Sequence, residues 1–178
     1  LGLGELRGAA EFRNLASQPV TIRPLLEADA PAVAALADRA YPGSYRLSAA
    51  DVRDSLEGEH LCFGAFGPEG LQAYLMCWLD TTQVEELGEE QVLLLDDIVV
   101  EDGRHLILLL RALRRAIVAG GWTHLAMEGT HRPRAEALFE AHPRVVAALG
   151  YRRAATHHYF GEREQENLCW ARYEPVGE

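Results

Sequence analysis

Residues 91–121, QVLLLDDIVVEDGRHLILLLRALRRAIVAGG, constrain the fold more than any other part of the chain. The first ten of them are mostly Val, Leu and Ile, the composition of a central strand buried on both faces of a sheet. Two carboxyl residues, Asp96 and Asp97, interrupt that run. After a short polar turn, Leu106, Leu109, Leu110, Leu113 and Ile117 recur at helical spacing, which predicts a helix with one apolar face laid on the sheet. Gly120 and Gly121 stop it. A buried strand feeding a helix that must cover the same sheet commits the chain to a layered α/β architecture.

The flanking sequence extends this unit on both sides. Residues 20–24 (VTIRP) alternate like a short strand, and Glu27, Asp29 and Pro31 open an alanine-rich helix that runs through Ala40. Ser48 with Asp51 three residues later predicts a capped second helix to about Leu56, ended by Gly58. Residues 60–66 and 71–80 read as a hairpin around Gly67-Pro68-Glu69-Gly70. Residues 122–127 read as a strand, 134–149 as a helix interrupted at His142-Pro143, and 151–160 with 167–173 as a closing hairpin. The predicted order is β-α-α-β-β-β-α-β-α-β-β, without internal repeat. Residues 19–178 form one domain in this reading, and 1–18, with three glycines and no clean period, are an N-terminal extension.

A chain of 178 residues with 48% apolar content suits a single core. The formal charge of −10 opposes association with nucleic acid or anionic membrane through the overall field, because both partners are polyanions. No run approaches the ~18 apolar residues of a membrane-spanning helix. Cys62, Cys77 and Cys169 lie apart in apolar runs, as reduced buried thiols of a cytoplasmic protein do. His105, His157 and His158 have no metal-ligand spacing, so no metal is expected. All 17 basic residues are arginine, most simply a codon bias.

The element order and the sequences attached to it resemble the GNAT superfamily of acyl-CoA-dependent N-acyltransferases over roughly residues 20–174. VTIRPLLEADAPAVAALADRAY is similar to the family's first strand and helix. LLLDDIVVEDG is similar to its fourth strand, ALRRAIVAGGWTHLAMEG to the helix and fifth strand that follow, and RAEALFEAHPRVVAALGYRR to its R-A-x-x-L-Y-E-x-x-G-F segment. The resemblance implies an α/β (α+β) fold with a mixed, mostly antiparallel six- or seven-stranded sheet and about four helices. It implies acetyl-CoA or another acyl-CoA as co-substrate, and an amine of a small molecule or peptide as acceptor. It leaves room for a homodimer.

By the same resemblance, the pantetheine arm lies along the backbone of Ile98, Val99 and Val100. The pyrophosphate falls at the following helix start, at Gly103, Arg104, His105, Leu106 and Leu108. Helix-terminal amides are unpaired donors with a favourable dipole, and glycine lets phosphate approach closely. This chain departs there, with Leu106, Leu108 and Leu110 at the family's glycine positions and His105 at its leading basic position. Phe139 occupies the position of the family's proton-donating tyrosine; Tyr159 is a phenol that could replace it, but it reads better as an ordinary half-buried strand tyrosine.

Asp97 sits where the family's strand often carries an acid facing the acceptor, which implies a proton acceptor. Its neighbour Asp96 should alternate to the other face. Glu128 and His131 follow the fifth strand at the carboxyl end, where open α/β sheets bind ligands, and His131 brings an imidazole, a side chain suited to act as a base. The departures also support a second reading, a GNAT-like domain that no longer binds acyl-CoA and serves as an interaction module.

Overall fold

The computed structural model describes residues 19–43, 47–58, 60–79, 92–121, 124–128, 141–158 and 167–173. The proposed extension, His131, Phe139 and Tyr159 lie outside them. The described strands are β1 (Thr21–Pro24), β2 (His60–Gly67), β3 (Gly70–Leu79), β4 (Val92–Val99), β5 (His124–Glu128), β6 (Tyr151–His158) and β7 (Asn167–Tyr173). They form a seven-stranded sheet in the order β1-β2-β3-β4-β5-β7-β6. Neighbours pair antiparallel except β4 and β5, which run parallel. The α-helices among the described residues are α1 (Ala30–Ala40), α2 (Ala49–Leu56), α3 (Gly103–Gly120) and α4 (Pro143–Ala148). A mixed, mostly antiparallel sheet with helices on both faces is the predicted class.

Local chemistry explains the element ends. The Ser48 side chain accepts from Asp51 N at 3.1 Å while Asp51 Oδ2 accepts from Ser48 N at 2.8 Å, the reciprocal cap predicted for α2. Gly121 closes α3 at φ 74, and Gly150 links α4 to β6 at φ 83, a conformation costly for residues with a Cβ. Between β1 and α1, the Arg23 guanidinium grips Asp29 through two bonds of 2.7 and 2.8 Å and lies 3.7 Å over the Phe66 ring.

The sheet has a core on each face. On one face Leu75, Cys77, Leu95 and Ile98 pack against Leu106, Leu109, Leu110, Leu113 and Ile117 of α3, with Val146, Leu149 and Tyr151 completing the layer. On the other, Tyr74, Met76 and Val99 pack against Val33, Leu36 and Ala37 of α1 and Val52 and Leu56 of α2. Cys62 and Cys77 are buried and form no disulfide, as expected. The Tyr151 hydroxyl donates to the Leu110 carbonyl at 2.8 Å, tying β6 to α3. No helix among the described residues is long and apolar enough to cross a membrane.

Candidate active site

The pairing of the two parallel strands stops short of the end of β4. β4 and β5 pair from Val92↔His124 to Leu95↔Met127, and there the pairing ends, although β4 runs on to Val99. Glu128 continues with β7, opposite Leu168. The same point on the other edge of β4 carries a bulge, because Met76 opposes Asp97 but Cys77 opposes Leu95, leaving Asp96 as the extra residue. A bulge bends the strand and sharpens its twist, which turns the end of β4 away from a neighbour it had been following.

The bulge also reassigns faces. Simple alternation puts Leu95 and Ile98 on opposite faces, yet both pack under α3. Asp97 falls with Tyr74, Met76 and Val99 on the α1/α2 side, where it is 5% exposed. The Tyr74 hydroxyl, itself fully buried, donates to Asp97 Oδ2 at 2.7 Å. A carboxyl group taken out of water needs such donors, and this one comes from the adjacent strand.

A second phenol reaches β4 from above. Tyr41, the residue that ends α1, donates its hydroxyl to the Ile98 carbonyl at 2.7 Å. That carbonyl belongs to the stretch of β4 beyond its last pair with β5. Neither Tyr41 nor Tyr74 is marked by the sequence alone. Tyr74 reads as an ordinary strand aromatic, and Tyr41 meets β4 across 57 residues.

At the carboxyl end of β4, Val100 is half-buried and leads through two exposed acids, Glu101 and Asp102, into α3. Asp102 caps the helix, with Oδ1 accepting from Arg104 N at 2.8 Å and its carbonyl accepting from His105 N at 2.9 Å and Leu106 N at 3.2 Å. The Arg104, His105 and Leu106 amides at the helix start are thus engaged by an acidic residue of the chain itself. Asp before a helix start is a local capping signal, so this feature was readable. Gly103 and Arg104 are exposed, while His105 and Leu108 are half-buried. Leu106 is 1% exposed within the α3 core, and its amide is taken by the Asp102 carbonyl.

The structure therefore brings Asp97, Ile98, Val99 and Val100 together at the strand parting and places Gly103, Arg104 and His105 just beyond. His131 lies outside the described residues, and no metal-binding group of three His, Cys, Asp or Glu side chains occurs among the described ones.

The sheet is mostly antiparallel, with one parallel pair whose pairing stops beside a bulge. No protein-family model matches the chain, and no curated protein matches it in sequence. Solved structures do. The ribosomal-protein-S18-alanine N-acetyltransferase of Escherichia coli superposes with a TM-score of 0.59 at 18% identity, over 90% of this chain and 97% of that one. A putative GNAT-family acetyltransferase of Desulfovibrio desulfuricans gives 0.58 at 16% identity, over 88% and 99%. The PaiA N-acetyltransferase of Thermoplasma acidophilum, solved with coenzyme A, gives 0.60 at 12%, over 87% and 99%. The chain has the GNAT fold, as its sequence pattern implied.

Proposed function

We propose that the protein is a GNAT-type N-acyltransferase that moves an acetyl or other acyl group from acyl-CoA to an amine of a small molecule or peptide. The observation that carries the reading is the parting of β4 and β5 at Leu95/Met127, with the bulge at Asp96 and the buried Tyr74–Asp97 pair at the same level. The fold neighbours lend support, since one is named for acetylating a protein alanine and another was solved with coenzyme A.

In this reading the thioester lies along Ile98, Val99 and Val100. The acceptor nitrogen attacks its carbonyl carbon, the N–C bond forms, and a backbone N–H near Val99 or Val100 holds the oxyanion. The C–S bond then breaks and the thiolate leaves with the pantetheine arm. Asp97 takes the amine proton, directly or through water, and its bond from Tyr74 fixes its position. Tyr41, whose hydroxyl lies against Ile98, is the phenol we assign to protonating the thiolate in place of the one that Phe139 lacks. His131, after β5, is the second candidate base. The pyrophosphate would meet the backbone of Gly103, Arg104, His105, Leu106 and Leu108, in a site weakened by the Asp102 cap. Cys62 and Cys77, buried and outside any disulfide, support a cytoplasmic setting.

Calorimetric titration with acetyl-CoA and longer acyl-CoAs, followed by turnover with a panel of amines, tests this. Binding and amine-dependent release of thiol are expected. The Asp102 cap favours the second reading, an interaction module, which takes precedence if the folded protein takes up no acyl-CoA at millimolar concentration.

A further inference from the structure

α3 is a long helix whose charge runs against that of the protein as a whole. Its 18 residues hold four arginines and no acid, in a chain whose formal net charge is −10. At about 100° per residue, Arg104, Leu108, Arg111, Arg115 and Val118 fall on one stripe, opposite the buried stripe of Leu106, Leu109, Leu110, Leu113 and Ile117. The three arginines of that stripe are exposed, and Val118, at 53%, is one of the two large apolar residues most exposed among those described. No carboxylate among the described residues forms an ion pair with Arg111 or Arg115. Helix surfaces that serve only for solubility interleave charges of both signs at i, i+4. This one is basic throughout, with two apolar side chains set among the arginines.

The stripe begins at the mouth of the proposed site, because three residues link the end of β4 to the start of α3. At that mouth the pyrophosphate position lacks its glycines and is capped by Asp102. A donor recognised chiefly by its pyrophosphate meets an unfavourable surface there, whereas an acyl thioester on a pantetheine arm still has the backbone of β4. Resting on the acyltransferase reading, we infer that the outer face of α3 docks an acidic carrier protein, which delivers its acyl group on a phosphopantetheine arm into the β4–β5 opening. The partner's carboxylates pair with Arg104, Arg111 and Arg115, and an apolar side chain covers Leu108 and Val118. The overall negative charge does not prevent this, since charges more than about 8 Å apart are largely screened at physiological salt. At contact the partner meets the local face. In the transfer, the acceptor nitrogen displaces the arm's sulfur at the carbonyl carbon, and the thiol returns with the carrier.

The test uses a purified acidic acyl carrier protein in unmodified, phosphopantetheinylated and acetylated forms, with acetyl-CoA as free donor. Anisotropy of the labelled carrier should report binding that weakens with salt. The Arg111→Glu/Arg115→Glu variant should weaken it by at least about tenfold, with Arg111→Gln/Arg115→Gln intermediate. Both side chains are exposed, and circular dichroism verifies that each variant is folded. The charge-reversed variant should raise KM for the acetylated carrier and leave acetyl-CoA kinetics unchanged. Equal carrier binding by parent and variants overturns the inference, as does tighter binding of a short oligonucleotide or of anionic vesicles at the same salt. Turnover of acetyl-CoA without any carrier binding overturns the docking surface and leaves the acyltransferase intact. Arginine-dependent binding with no transfer from either donor overturns the acyltransferase reading and, with it, the partner's role as donor.

Discussion

Asp97→Asn separates what the Tyr74–Asp97 pair does for folding from what it does for chemistry. The hydroxyl donates at 2.7 Å to a carboxyl group that is 5% exposed, and the ring that carries it is fully buried. The amide oxygen of the substituted side chain can accept the same hydrogen bond. The change in stability is then the difference between a charged and a neutral acceptor, about 1 kcal/mol. Tyr74→Phe instead leaves the buried carboxyl group without that donor and should cost about 2–3 kcal/mol. Turnover should follow the opposite order. Loss of the proton acceptor in Asp97→Asn lowers kcat by roughly 10²- to 10⁴-fold, with donor affinity nearly unchanged, whereas Tyr74→Phe retains a base and loses less. Urea denaturation, with m-values compared, gives the first quantity, and steady-state rates at saturating donor give the second. If Asp97→Asn turns over like the parent, the pair is structural and Asp97 leaves the mechanism.

Restoring glycine at the helix start divides by burial. Leu106→Gly empties a core position that is 1% exposed and should cost about 3–5 kcal/mol, seen as a lowered denaturation midpoint, whereas half-buried Leu108→Gly should cost about 1 kcal/mol and tighten acyl-CoA in calorimetry. Asp102→Asn keeps an oxygen for the Arg104 amide while removing the charge. It should leave the melting temperature within a few degrees and strengthen acyl-CoA binding severalfold at low salt. Asp29 is held below the ordinary carboxyl pKa, chiefly by the Arg23 hydrogen bond and against its partial burial. Its contribution is therefore complete above ~pH 4 and disappears as pH falls through the depressed folded-state value. Asp29→Asn should flatten that acid limb by up to about 1 kcal/mol in urea melts taken between ~pH 5 and ~pH 2, and an unchanged limb would show that the pair contributes nothing.

The elements were legible because each carries a local signal. The apolar spacing of α3, the Ser48–Asp51 cap of α2 and the glycines that end α3 act within a few residues of where they stand in the sequence. The bulge was not, for a physical reason. In a run such as VLLLDDIVV an inserted residue leaves apolar side chains on both faces in either register, so alternation cannot reveal the slip at Asp96. The two phenols were invisible for another reason, since Tyr74 meets Asp97 across 23 residues and Tyr41 meets Ile98 across 57. Only the strand pairing of β3 with β4 and the landing of α1 on the sheet bring these groups together. Asp97 was thus readable as a candidate from its place in an apolar strand, and the phenol that binds it was not.

Asp102 carried the same local signal as Ser48, and its position explains how the missing glycines could persist. In a glycine-rich loop the first-turn amides remain bare until a phosphate satisfies them, so the helix start is completed by its ligand. Here the chain completes the start itself: Asp102 Oδ1 holds the Arg104 amide and the Asp102 carbonyl holds His105 and Leu106. A phosphate that displaces the side-chain cap forgoes about 1 kcal/mol, roughly fivefold in affinity, before any repulsion between the two negative groups is counted. Side-chain motion can free the Arg104 amide, but the His105 and Leu106 amides stay with the Asp102 carbonyl. The donor's remaining hold in the proposed site is then the backbone edge of β4, which can grip a pantetheine arm but says nothing about what the arm is attached to. Recognition of the rest of the donor has to come from a surface beyond the capped turn. The first such surface along the chain is the arginine stripe of α3.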